Sequence, residues 1–476
     1  MSQDRRDVVR GLPLYKQGAS HGENAVKLSS NENPFEPLPS VIEAVTRTLP
    51  RFNRYPSMSA EEVRSSIAGH FGVDVSQVAV GAGSTEVASQ LMHAFAGAGD
   101  EIIFPWRSFE AYPILTQVAG ATPVPAPLTK DLRHDLDAMS AAITDRTRLI
   151  FLCTPNNPTG TVLHTDEVVE FLARVPQNVV VVMDEAYYHF NRDDAAVDGL
   201  TLLNDHPNVV VLRTFSKAYG LAGLRIGFAI SAPEISDDLR RVATPFTVTT
   251  LAQQAAIASL AAEDELNERV NRIVAERTRV FDELTRQGWK IVPSQANFLW
   301  LVTGDDTDRI DEVMVSHGVF ARCWSGEGIR LSIGLDAEND RAIEALSQAV
   351  KGLGSDSQEV PPLRQLGVDL GHPKSVGLTQ LCDVLFLIGH GHHAWIEDVG
   401  LPVCLKVAQH LTGSVVLGRS GNGCFGDARA ASEQLSKHLR TFDLILDVVA
   451  GLCTDDEEPV VAVELGAVDG NATRVA

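Results

Sequence analysis

One lysine in this chain stands where its amine can be made reactive. Lys217 closes the string Thr214-Phe215-Ser216-Lys217, directly behind an apolar run at 209–212. A lysine at the end of a buried strand is desolvated, which disfavours the ammonium and leaves an amine suited to nucleophilic attack or Schiff-base formation. Eight residues on, Arg225 lies in Gly220-Leu-Ala-Gly-Leu-Arg-Ile-Gly227, where glycines let the backbone approach a ligand and a guanidinium can grip a phosphate. Upstream, Val179-Val-Val-Val-Met183 leads into Asp184-Glu185-Ala186-Tyr187, and an apolar run at 149–153 leads into Thr154-Pro-Asn-Asn157-Pro158-Thr-Gly160. Earlier still, Val78-Ala-Val80 opens on Gly81-Ala-Gly83-Ser84-Thr85-Glu86 and a helical stretch, whose first N–H groups would face an anion. Each string alone has an ordinary reading as a surface lysine, a helix-capping aspartate or a turn. In this order they deliver an amine, a guanidinium, a carboxylate, an amide and a phosphate cradle to strand ends, where α/β folds bind ligands. Those are the groups that a pyridoxal phosphate site needs.

Short buried strands must position these groups. Apolar runs rich in β-branched residues recur at 78–80, 101–104, 148–153, 179–183, 209–212 and 225–230, with helical spacing between most of them, as over 166–175. The alternation predicts an α/β domain around a largely parallel sheet. Residues 251–287 read as a long helical stretch interrupted near Asp264 and stopped at Gly288. Strand candidates at 297–302 and 329–333 then suggest a second, smaller α/β unit. Gly-Ser-Asp-Ser-Gln-Glu-Val-Pro-Pro at 354–362 is a string of turn formers. The expected organisation is an N-terminal arm (1–30), a large domain (31–250), a small domain (251–353), and a linker with an extension of unknown fold and function (354–476).

Composition narrows the partners. The 40 Lys and Arg against 62 Asp and Glu give a net charge of −22, which argues against nucleic acid, whose phosphates need clustered cations. No membrane partner is expected, because no run reaches the ~18 apolar residues of a span. The start has no apolar core behind its charges, so no secretory signal is read. Six scattered cysteines without a CxxC pair suit the reducing cytoplasm. His390, His392 and His393 are close together, but no HExxH or Cys/His pattern accompanies them, so no metal site is expected.

Six strings taken together carry a family likeness: Ser30-Asn31-Glu32-Asn33-Pro34, Asn53-Arg54-Tyr55-Pro56, Asn156-Asn-Pro-Thr-Gly160, Asp184-Glu-Ala-Tyr187, Thr214-Phe-Ser-Lys217 and Gly328-Ile-Arg-Leu-Ser332. The sequence resembles the fold-type I pyridoxal-phosphate aminotransferases, in the branch containing histidinol-phosphate and actinobacterial aromatic amino acid aminotransferases. The likeness covers about residues 5–353. It implies a large, mainly parallel sheet domain with a smaller α/β domain, a homodimer, and small-molecule amino acid and 2-oxo acid substrates. By it, Lys217 would hold pyridoxal 5'-phosphate and serve as general base, and Asp184 would keep the pyridine nitrogen protonated. Asn157 and Tyr187 would bond the phenolic oxygen. Ser84, Thr85, Ser216 and Arg225 would bind the phosphate, with Tyr55 reaching in from the second subunit. Phe109, in Ser108-Phe109-Glu-Ala-Tyr112, would stack on the ring where the family usually has tyrosine. Arg330 would pair with the substrate carboxylate, and Arg322, Tyr15 and Asn157 would line the substrate pocket.

Two substrates stay open within that likeness. The strings 105–113 and 11–15 resemble the aromatic branch, which favours phenylalanine, tyrosine or tryptophan over histidinol phosphate. A decarboxylase or lyase on the same cofactor is a rival enzyme class, and a ligand sensor fused to a DNA-binding module is a non-enzymatic one. The extension is expected to be dispensable for transamination.

Overall fold

The computed structural model describes residue 12, residues 25–355 and four strand segments at 403–408, 413–419, 444–449 and 461–467. Tyr15 and the histidine run 390–393 lie outside the described residues. After a first strand, β1 (Val26–Leu28), seven strands build one sheet: β2 (Val78–Gly81), β3 (Glu101–Trp106), β4 (Thr122–Pro127), β5 (Thr147–Cys153), β6 (Val180–Asp184), β7 (Val209–Thr214) and β8 (Gly227–Ile230). Their order is β2-β8-β7-β6-β5-β3-β4, with β8 alone running against its neighbours. The largely parallel α/β sheet expected from the apolar runs is therefore present.

Those runs are continuous because both sheet faces are buried. Ile102, Phe104, Leu149, Phe151, Val182 and Leu212 pack on one side with Val87 and Leu91 of the helix Ser84–Phe95. Ile103, Ile150, Leu152, Val181 and Met183 pack on the other with Phe171 and Val168. A strand alternates its side chains, so a strand covered on both faces needs apolar residues at every position. Polarity returns where the strands run out, and there the sheet delivers its functional side chains.

The strand β4 was hidden by its prolines, at 123, 125 and 127. It is an edge strand paired with β3 alone, and the alternate residues between the prolines supply the ladder N–H groups. Three prolines on one phase point their missing N–H groups outward, where no partner strand needs them.

The long helical stretch is two helices, Thr250–Ala261 and Glu263–Arg286, broken at Ala262. Gly288 adopts φ +95 and Trp289 N bonds back to Leu284 O, which ends the second helix. A second sheet of five strands has the order β1-β11-β12-β10-β9, with β9 (Ile291–Val292), β10 (Phe298–Val302), β11 (Val319–Trp324) and β12 (Gly328–Ser332). Residues 26–28, read from sequence as part of the arm, form its edge through parallel pairing with β11. In β12, Arg330 stands opposite Trp300 of β10 and Arg322 of β11. Cross-strand partners share a sheet face, so these three residues project together.

Beyond Gln358 the chain forms a separate compact unit. Within it β13 (Val403–Ala408), β14 (Gly413–Arg419), β15 (Leu444–Val449) and β16 (Val461–Ala467) make an antiparallel sheet of order β13-β14-β16-β15.

Candidate active site

Asp184 is the last residue of β6 and is buried. Its Oδ2 accepts the Tyr112 hydroxyl at 2.6 Å, while its buried Oδ1 has no hydrogen-bond partner among the described residues. Burial pushes the carboxyl up to about 6, against the Tyr112 hydroxyl and the nearby Ala186 amide dipole, which draw it down. Tyr112 carried no role in the sequence reading. Its signal was a tyrosine in the otherwise apolar start of the helix Ala111–Ala119, because a fully buried phenol must find an acceptor.

Lys217 follows β7, and its Nζ donates to Ser30 O at 3.0 Å. The side chain is partly buried by area, but its amine lies deep. Desolvation, with the Arg330 and Arg225 guanidiniums, depresses the ammonium to about 7 against the opposing pull of Glu32. The amine lies 5.7 Å from the centre of the Tyr187 ring. Tyr187 OH in turn accepts from Asn31 Nδ2 at 3.1 Å, and burial holds the phenol protonated.

Asn31 is a second residue whose role the sequence did not disclose. It adopts φ +52, a left-handed conformation that asparagine tolerates better than most residues. Ser332 of β12 fixes it twice, accepting from its backbone N–H at 2.8 Å and donating to its Oδ1 at 2.9 Å. Asn31 thus ties the strand pair around Arg330 to Tyr187.

Arg330 is buried and donates from Nη1 to Asn157 Oδ1 at 2.6 Å and from Nη2 to Ser29 O at 2.7 Å. That bond occupies the Asn157 oxygen and leaves its Nδ2 as the donor. Phe109 meets Tyr112 edge-on, with ring centres 5.5 Å apart. Arg322 lies beside this group, but its Nη2 donates to Glu110 Oε2 at 2.8 Å.

A third group forms where the helix Ser84–Phe95 begins. Arg225, at φ +57, donates to Ser216 Oγ at 3.4 Å and reaches Ala82 O at 3.5 Å. At Gly83 (φ +85) an added Cβ would collide with the Arg225 guanidinium, and at Gly227 it would collide with the Ser84 backbone. The two glycines let β8, the helix start and the guanidinium close into one concavity. Ser84 and Thr85 begin the helix, whose free N–H groups favour an anion.

These residues fit a phosphorylated pyridine cofactor. Asp184 Oδ1 is an orphaned buried acceptor suited to a ring N–H, Lys217 is a desolvated amine, and the Gly83–Arg225 concavity collects donors for a phosphate. Of the residues singled out by sequence, Tyr55 is not gathered into this cleft by its own chain. It is 82% exposed and stacks on Phe246 with centroids 4.6 Å apart. Among the described residues no group of three His, Cys, Asp or Glu could hold a metal ion. No described helix is long and apolar enough to cross a membrane.

Comparison with known proteins agrees with this arrangement. Residues 23–346 match the family model for aminotransferase class I and II. An aromatic amino acid aminotransferase of Cutibacterium acnes is 95% identical over 352 residues, covering 74% of this chain and all of that relative. Another aromatic amino acid aminotransferase, from Streptomyces avermitilis, is 53% identical over 338 residues, 70% of this chain and 94% of the relative. The crystal structure of histidinol-phosphate aminotransferase from Sinorhizobium meliloti in complex with pyridoxal-5'-phosphate superposes with a TM-score of 0.67 at 28% identity, covering 74% of this chain and 98% of that one. The strand-end chemistry, the sheet order and these matches converge, and the chain belongs to the class I and II aminotransferases.

Proposed function

We propose that the chain moves the amino group between an aromatic L-amino acid and a 2-oxo acid such as 2-oxoglutarate, with pyridoxal 5'-phosphate as cofactor. The observation that carries the reading is a depressed lysine amine, Lys217, in one cleft with a buried, unpartnered carboxylate oxygen of Asp184. When bound, the cofactor supplies an electron sink for the bond broken at the substrate α-carbon. Lys217 holds it through its amine and, once released, takes the α-proton as general base. Asp184, oriented by Tyr112, keeps a proton on the pyridine nitrogen. Asn157 and Tyr187 bond the phenolic oxygen, and Ser84, Thr85, Ser216 and Arg225 hold the phosphate. Phe109 covers the ring face. Arg330 takes the substrate carboxylate, a planar anion that suits a guanidinium.

The aromatic preference is supported by the apolar surroundings of Arg330, whose Cζ lies 5.6 Å from the Phe298 ring and 5.5 Å from the Trp324 ring. It is supported too by the relatives' names. Turnover with phenylpyruvate and glutamate is expected to exceed turnover with histidinol phosphate and 2-oxoglutarate by about a hundredfold in kcat/KM. Efficient use of the second pair alone overturns the aromatic reading.

The working unit is proposed to be a cytoplasmic homodimer built from residues 1–358. Leu49, Phe52, Tyr55, Met58, Val242 and Phe246 are exposed apolar side chains, a concentration that a second copy would cover while bringing Tyr55 to its partner's phosphate site. The full-length match to the C. acnes relative over 352 residues supports independence from the extension. A chain ending at Gln358 should sediment from a soluble lysate at twice its monomer mass and keep parental turnover. A soluble truncated monomer, or an inactive dimer, rejects the proposal.

A further inference from the structure

Trp324 lies among three guanidiniums. The Cζ atoms of Arg322, Arg330 and Arg107 are 5.2, 5.5 and 5.6 Å from its ring centre. Arg322 and Arg330 are direct cross-strand partners, a like-charge pairing that destabilises a sheet unless something neutralises it. The Glu110 carboxylate does so. Its Oε2 accepts Arg322 Nη2 at 2.8 Å and its Oε1 accepts the Trp324 indole N–H at 2.9 Å. Arg107 is paired with Glu327 in the same way. Of the three cations, Arg322 and Arg107 each carry a carboxylate. Glu110 also follows Phe109 directly, and its partner Trp324 lies beside Arg330.

We propose that Glu110 is a specificity-determining residue that neutralises Arg322, so the pocket favours a substrate with one carboxylate and an apolar side chain over one with a second anionic group. This rests on the assignment of Arg330 to the substrate carboxylate made above. A monoanionic aromatic substrate meets Arg330 at one end and the Phe109 and Trp324 rings at the other. A dianionic substrate must compete with Glu110 for Arg322, so dicarboxylates are used at lower affinity. The ion pair acts on selectivity, and the same contact would act on all ligands alike if it merely held β11 in place.

The test is calorimetric binding to the pyridoxal-phosphate-loaded enzyme of glutarate, a dianion, and 3-phenylpropionate, a monoanion with an apolar tail. In Glu110→Gln the ratio of glutarate to phenylpropionate Kd should fall about tenfold or more, since Arg322 then offers an uncompensated charge. Arg322→Gln should weaken glutarate more than phenylpropionate, raising the ratio about tenfold, because the unmatched Glu110 carboxylate repels a second anionic group. The double variant should return the ratio to within about threefold of the parent, as coupled neighbours do when both are removed. An unmoved ratio in Glu110→Gln, a gain that persists in the double variant, or an Arg322→Gln enzyme whose ratio stays at the parent's value overturns the proposal. Should Glu110→Gln fail to fold, Arg322→Gln and the double variant still decide it. Because the readout is binding, an enzyme that proved inactive on phenylpyruvate would reject the aromatic reading while leaving this ratio measurable.

Discussion

Lys217→Ala should lower transamination by about four powers of ten, the upper range for loss of a positioned general base. Two losses combine: the amine that takes and returns the α-proton, and the amine that holds the cofactor. The geometry explains why no neighbour substitutes. Lys27, whose charge reaches Lys217, is tied to Glu32 at 2.8 Å. The environment of Lys217 also sets how much active amine exists. At an ordinary lysine pKa roughly one amine in a few thousand is neutral at pH 7. Burial beside Arg330 depresses the Lys217 ammonium to about 7, so about half is neutral there. The absorption band of the loaded enzyme, and the label fixed to the protein by borohydride, should both vanish in Lys217→Ala while its thermal midpoint stays near the parent's. More than about one per cent residual turnover, well above the range expected for losing such a base, removes Lys217 from the chemistry.

Much of this was legible in the chain because the sheet is buried on both faces. Apolar runs at β5, β6 and β7 announce strands, and polar residues within a few positions of each run's end mark the ligand-binding edge. Asp184, Asn157 and Lys217 stand out for that reason. What stayed hidden depends on contacts between distant parts of the chain. Tyr112 reaches Asp184 across 72 residues, and Arg322 reaches Glu110 across 212. Neither pairing leaves a local pattern, since a tyrosine in an apolar helix and a glutamate at a helix start are both ordinary on their own. Asn31 was visible as part of a motif, yet its work of joining Ser332 to Tyr187 depends on β12 lying beside the N-terminal strand region. The proline-rich β4 failed for an opposite reason. Its local chemistry argues against a strand, and only its edge position reconciles three prolines with a parallel ladder.

Asp184→Asn should separate function from stability. An amide accepts the Tyr112 hydroxyl as the carboxylate does, but it carries no charge to hold a proton on a pyridine nitrogen. Loss of about two to three powers of ten in turnover is expected, the scale of removing one preorganised electrostatic partner. The apoprotein should move the other way. The folded carboxyl titrates at about 6 against an ordinary 3.8, so as pH rises the unfolded chain loses this proton before the folded one. Its contribution is intact below about pH 4, declines between about 4 and 6, and stays at its minimum above, a loss of about 3 kcal/mol at 1.36 kcal/mol per unit. Asparagine does not titrate, so the stability gap between variant and parent apoprotein should open from near zero at pH 4 to about 3 kcal/mol at pH 7. Denaturant unfolding of both apoproteins across that range measures it. Cofactor binding should close the gap, because a ring N–H facing Oδ1 gives the buried anion the partner it lacks. A variant that is inactive yet shows no pH-dependent gain would mean that Asp184 is not a buried anion awaiting that partner, and the fit of the cofactor to this cleft would lose its principal support.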